Sequence, residues 1–449
     1  MTSSKLQKLI SILAAFVILC GCVSFAFAAE QQASFPAEKD GYKLKRIVIF
    51  SRHSIRAPLK RLVASTKTVT PHKWTDWSAD PGDLTERGGI IETFFGQYFR
   101  RALEKIGFIP KNWVPEKDEA RFRSNSLQRT IATARYFASG FLPCADIRIE
   151  HRNPIDEPDP EIHPMLHFTS EEYRRHAKDY IAKHMDIKDQ KEIFDRIRDG
   201  LKALESILDY KDSELAKKTG SEHFPAEKID IDITKDAEAV SSGDILTAMA
   251  AVDALSLQYL EGNGDRLTAF GHALTEKDVS ELNQITDIFY DAMCAPYEIA
   301  INTVHPVLIY LRDELLNNTR KFSFTCGHDD NIVPIMSALR VEPYKLEGTF
   351  GSNRVPIGCK LVFSVYDGPN GKEYAKVNMM YLSADQIREM TEVNESNPPK
   401  SVELSLSGLK KNADGYYALD DVIGRFDEAI DAYWTLPGNS KDESDSQAA

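Results

Sequence analysis

The stretch RIVIFSRHSIRAPLK, residues 46–60, runs an apolar segment into two arginines and a histidine within five residues. Ile47, Val48, Ile49 and Phe50 are β-branched or aromatic, the composition of a short buried strand. Arg52, His53 and Arg56 follow at its end, and Pro58 stops a regular ladder from continuing and favours a turn. Like charges this close repel unless an anion or carboxylates lie between them. For an isolated pair of arginines the alternative is an exposed basic loop paired with surface acids.

Two more strand-to-helix steps follow the same plan. Ile91, Phe94, Phe95, Tyr98, Ala102 and Ile106 are spaced as one face of an amphipathic helix, with Thr85 as cap and Gly107 as stop. In ARFRSNSLQRTIATARYFASG (120–140), Ser124 or Ser126 caps a helix and Gly140 ends it, which puts Arg129 in the first turn at the positive end of the dipole. In KFSFTCGHDDNIVPIMSAL (321–339), a strand over 321–326 and a turn at Gly327 lead to a helix with His328 and Asp329 at its mouth. In open parallel sheets this rim is where ligands bind. The expected fold is therefore α/β: a three-layer domain with a mostly parallel central sheet, formed by residues 42–159 and 301–436. Residues 160–300 are charge-dense and helical in pattern, and read as a mainly helical cap domain inserted into it.

The chain has 449 residues, 42% of them hydrophobic, enough for one large domain or two ordinary ones. Residues 1–28 read as a signal peptide, with Lys5 and Lys8, an apolar run from Leu9 to Leu19, and a small-residue cleavage pattern ending at Ala28. Two rival readings are lipid attachment at Cys22 and an uncleaved anchor, the only routes by which the sequence implies a membrane. The expected location is periplasmic or secreted. The formal net charge is −13, and loss of Lys5 and Lys8 makes it more negative, which argues against nucleic acid as a partner. Cys144, Cys294, Cys326 and Cys359 remain after cleavage, an even number that suggests up to two disulfides in an oxidising compartment. Residues 29–42 and the tail 437–449 are polar and read as loose extensions.

The chemistry of the charged clusters points to an oxyanion. A guanidinium is a rigid fork of donors matched to phosphate oxygens, and a His beside an Asp serves as phosphate ligand and proton donor or as a metal-binding pair. The remaining histidines have no metalloprotease-like spacing, no serine lies in a nucleophile elbow, and no Gly-rich phosphate loop occurs, so neither metal nor cofactor is expected.

RHSIRAP (52–58) resembles the RHGxRxP signature of the histidine acid phosphatases, and GHDDN (327–331) resembles their downstream His-Asp signature. HKWTDW, GDLTERGG, SNSLQRTIATA, INTVHPVLIYL and VPIGCKLVF extend the resemblance over nearly the whole mature chain, towards the bacterial periplasmic glucose-1-phosphatase and phytase branch. The resemblance implies that His53 is a nucleophile forming a phosphohistidine. Arg52, Arg56, Arg129 and His328 would bind the phosphate, and Asp329 would donate a proton to the leaving alcohol. A small-molecule phosphate ester is the implied partner: glucose 1-phosphate or a related sugar phosphate, with inositol hexakisphosphate as the alternative. A receptor that binds without turnover and a phosphosugar mutase are the rival functions. Ser54 replaces the usual Gly, which either narrows the pocket or adds a hydrogen bond. Ile162 and His163 depart from the expected Phe and Asn, and Asp330 offers a second candidate donor unless it caps its helix.

Overall fold

The computed structural model describes residues 39–262 and 268–440. The leader-like residues 1–28 with Cys22, residues 29–38 and residues 441–449 lie outside this range. Seven strands form one sheet: β1 (Lys43–Arg52), β2 (Ala120–Ser124), β5 (Phe322–Gly327), β6 (Lys360–Asp367), β7 (Glu373–Tyr381), β8 (Lys400–Glu403) and β9 (Tyr417–Ala418). A separate antiparallel hairpin is formed by β3 (Ile229–Asp232) and β4 (Val240–Gly243). The sheet order is β2-β5-β1-β6-β7-β8, with β9 also on β7. Strands β2, β5 and β1 are paired in parallel, and the pairings beyond β1 are antiparallel, so β1, β2, β5 and β7 point one way and β6, β8 and β9 the other. The parallel character expected from the sequence is concentrated in the half that carries the charged clusters.

Thirteen helices are described: α1 (Lys60–Thr68), α2 (Glu86–Lys105), α3 (Gln128–Phe141), α4 (Glu171–Met185), α5 (Lys191–Arg196), α6 (Arg198–Leu208), α7 (Glu214–Thr219), α8 (Asp244–Leu260), α9 (Glu276–Met293), α10 (Tyr297–Leu316), α11 (Asp329–Ala338), α12 (Ala384–Arg388) and α13 (Leu419–Tyr433). The two-residue alternation of β5 sets the layers. Phe322 and Phe324 meet α3, with ring centroids 4.3 Å from Phe141 and 4.4 Å from Phe137. Ser323 and Thr325 face the other way and meet Tyr310 of α10, whose hydroxyl lies 3.3 and 3.1 Å from their oxygens. All six β5 residues are buried, as a strand covered on both faces requires.

Several sequence expectations change. Thr85 caps α2 by accepting from Gly88 N–H at 3.2 Å, and Gly107 follows its end with φ +72°. Helix α3, however, has Leu127 at its N-cap with no side-chain cap, because the Oγ atoms of Ser124 and Ser126 are buried without hydrogen-bond partners. Gly140 does not end α3. It lies inside the helix, where a Cβ would come 2.1 Å from Thr93 O, and Gly96 of α2 is placed reciprocally, 2.2 Å from Phe137 O. The four cysteines are free. Cys326 in β5 and Cys359 before β6 flank β1 on opposite sides, about two strand spacings apart and beyond disulfide reach. Tyr42 is not loose: it is buried and stacks on Tyr416 at 4.0 Å. Among the described residues no helix is long and apolar enough to cross a membrane.

The Gly96 and Gly140 contacts set how closely α2 and α3 approach. Gly96→Ala or Gly140→Ala should destabilise the protein by about 1–3 kcal/mol despite the helix preference of Ala, because the methyl meets backbone rather than a side chain that can turn away. Thermal or denaturant unfolding checks this, and unchanged or raised stability would contradict it.

Candidate active site

Register brings the site together. Arg52 lies opposite Gly327, and Ser124 opposite Cys326, so the residues leaving β1, β2 and β5 emerge side by side at one sheet edge. His53 N–H donates to Gly327 O at 3.0 Å, and Asn125 N–H to Cys326 O at 2.9 Å. On the other side, Arg52 N–H donates to Cys359 O, and Gly358 N–H donates to His53 O at 3.1 Å. The Gly358 turn is itself tied down by Lys360, whose Nζ lies 3.0 Å from Gly358 O and 2.9 Å from Glu92 Oε2. This ion pair is fully buried.

Arg52, His53, Arg56, Arg129, His328 and Asp329 all line one cavity of about 240 Å³. His53 is 2% exposed, and its Nδ1 lies 2.8 Å from Ser54 O. A carbonyl can only accept, so Nδ1 carries the proton and Nε2 keeps its lone pair. Burial, followed by the charges of Arg129, Arg56 and Arg52, holds the ring well below the usual histidine range. His328 is depressed in the same way by burial, Arg129 and His53, with the two rings 5.5 Å apart.

The three guanidinium groups differ in how they are balanced. Arg52 Nη2 meets Asp329 Oδ2 at 2.8 Å and its Nη1 donates to Val355 O. Arg56 Nη2 straddles both oxygens of Asp253 at 3.2 Å. Arg129 is lowered to about 10 by burial and by Arg56. Each of the three keeps a buried Nε–H without a hydrogen-bond partner among the described residues. Burial favours neutral Asp329, but Arg52, the Tyr290 hydroxyl that donates to it, and Arg56 outweigh this and hold it at about 2.

A family model described as the histidine phosphatase superfamily (branch 2) matches residues 43–381. The chain belongs to this superfamily. It is similar to a glucose-1-phosphatase of Providencia rettgeri, 33% identical over 90% of this chain and 97% of that protein. Phytase AppA of Escherichia coli K12 is 24% identical over 90% of this chain and 95% of its own length. The apo structure of Hafnia alvei phytase shares the fold, with a TM-score of 0.81 at 24% identity over 88% of this chain and 98% of that one.

The cavity of this superfamily member also brings in residues that the sequence did not mark. Asn125 Oδ1 accepts from Ser126 and Asp159 N–H groups at 2.8 and 3.0 Å, which turns its Nδ2 towards His163 Nδ1 at 3.1 Å and His328 Nε2 at 2.7 Å. Asp253 could have been noticed as the one acid inside the apolar run of α8, whereas nothing in the sequence singled out Tyr290. Glu238 faces Arg61 at 3.0 Å and His163 at 3.5 Å. Ser54 is buried and does not line the cavity, so it does not narrow the pocket; its backbone N–H donates to Thr133 Oγ1 at 3.0 Å, a bond that a glycine would make as well.

Because burial and the neighbouring arginines depress His53 and His328, both rings should still be neutral at the pH where an ordinary histidine is half protonated. Imidazole nitrogen chemical shifts measured against pH check this. A His53 ring carrying two protons at pH 6 would overturn the electrostatic account.

Proposed function

We propose that this superfamily member is an exported acid phosphatase that hydrolyses the monoester of a small sugar, such as glucose 1-phosphate, through a phosphohistidine on His53. The observation that carries the reading is the convergence of Arg52, Arg56 and Arg129 on one cavity with His53, whose Nδ1 is held by Ser54 O so that Nε2 keeps its lone pair.

Arg52, Arg56, Arg129 and His328 would hold the phosphate oxygens and stabilise charge as it spreads over them during transfer. His53 Nε2 bonds to phosphorus while the ester oxygen departs with its electron pair and takes a proton from Asp329. Water then attacks phosphorus, and its proton returns to the carboxylate as the N–P bond breaks. In the free protein Asp329 is ionised. A bound phosphate dianion offsets the cations that keep it so, and its proton affinity rises where the reaction needs it.

The rest of the cavity favours a neutral leaving group. Its walls beyond the phosphate site bring Leu246, Met249, Phe289 and Met293 together with Glu238 and Asp330, and among the described residues the only cation added there is Arg61, which is already paired with Glu238. Six phosphate groups on one ring would meet these carboxyls without enough positive charge to balance them, whereas sugar hydroxyls can donate to them. A volume of about 240 Å³ also lies below the usual range for larger ligands. The glucose-1-phosphatase relative supports the same choice over the phytase alternative. We read residues 160–300, which supply Glu238, Asp253 and Tyr290, as a cap domain over the phosphate site. Export rests on the leader-like residues 1–28.

The wild-type protein should favour glucose 1-phosphate over inositol hexakisphosphate by on the order of tenfold or more in kcat/KM at acidic pH. His53→Ala should lower kcat on the order of a thousandfold. Near wild-type turnover in that variant would remove the proposed nucleophile, and preference for the hexakisphosphate would remove the substrate assignment alone.

A further inference from the structure

Asp330 follows Asp329 in the first turn of α11 and lines the same cavity. An acid at a helix start ordinarily accepts exposed backbone N–H groups. Here Asn331 performs that task, its Oδ1 accepting from His328 N–H at 2.9 Å, while Asp330 Oδ1 is buried with no hydrogen-bond partner among the described residues. Resting on the phosphatase reading above, we infer that Asp330 stores, in the free enzyme, the proton that the departing alcohol takes, and delivers it through Asp329.

The surroundings favour the neutral acid. Charged groups facing Asp330 are Asp329 beside it, Glu238 and Arg61 across the cavity, and Arg129 from α3. Burial, then Asp329 and Glu238, raise it well above the usual carboxylate range against the pull of the two arginines. Arg61 is already engaged with Glu238 at 3.0 Å. Uncharged Tyr290 and Cys294 also line this wall, and neither is a hydrogen-bond partner of Asp330 Oδ1. Asp329 is in the opposite state, ionised by Arg52 and by the Tyr290 hydroxyl. Two adjacent carboxyls with resting states driven apart form a pair in which one keeps a proton ready for the other.

The proton balance is complete. A phosphate ester among Arg52, Arg56 and Arg129 cancels the field that keeps Asp329 ionised, and the Asp330 proton passes to Asp329. Asp330 becomes a carboxylate facing Arg61 and Arg129. As the ester P–O bond breaks and His53 Nε2 bonds to phosphorus, the departing oxygen takes the proton from Asp329 and leaves as an alcohol. When water attacks the phosphohistidine, its hydroxyl oxygen bonds to phosphorus, its proton goes to Asp329 and back to Asp330, and the N–P electron pair returns to His53.

Asp330→Asn and Asp330→Ser, each shown to bind inorganic phosphate as wild type does, separate this role from a structural one. The kcat/KM of an alkyl phosphate, whose leaving oxygen needs a proton, should fall on the order of tenfold more than that of p-nitrophenyl phosphate, whose leaving group does not. The alkaline limb of kcat/KM for the alkyl ester should move to lower pH, and Asp330→Glu should restore it. An equal loss on both substrates, or an unchanged alkyl-to-aryl ratio and pH limb, would overturn the inference and leave the phosphatase reading intact. Absence of phosphate release by the wild-type protein would instead defeat the reading beneath it.

Discussion

Three guanidinium groups brought against one buried imidazole are the constraint on which the rest of the site depends. Their repulsion is only partly relieved from within: Asp329 balances Arg52 and Asp253 balances Arg56, while Arg129 keeps a depressed proton affinity. The surplus has two effects. It keeps His53 and His328 uncharged in acid, and it makes the cavity favourable for a dianion. The same field strips the proton from Asp329, which is ionised in the free protein.

The fold holds this arrangement with backbone rather than with long side chains. Parallel pairing of β2, β5 and β1 places Asn125, His328 and His53 at adjacent strand ends, and the turn before β6 closes the other side through Gly358 and Cys359. Beneath that turn, Lys360 and Glu92 form an ion pair with no solvent contact. Removing either partner would leave an uncompensated buried charge beneath the turn, so loss of one is costly to the fold as well as to the turn.

Much of this was legible in the sequence because charge is conspicuous after an apolar strand. Arg52, His53 and Arg56 stood out in that way, and Arg129 and His328 with Asp329 did so at the starts of helices. Residues acting through geometry were not legible. Asn125 matters because two backbone N–H groups orient its amide, and Tyr290 because α9 carries it across to Asp329; neither has a local pattern. Asp253 had one, a lone acid among apolar neighbours, but its partner lies almost two hundred residues earlier. Gly140 was read as a stop because flexibility and close packing leave the same letter, and cysteine parity held no information about β1 lying between Cys326 and Cys359.

The most direct test of the central claim is a crystal structure with vanadate, which adopts the five-coordinate shape of phosphoryl transfer. His53 Nε2 should be an axial ligand to vanadium, with Arg52, Arg56, Arg129 and His328 around the equatorial oxygens and a carboxyl on the leaving-group side. Vanadate bound away from His53, or held there without these arginines, would contradict that claim.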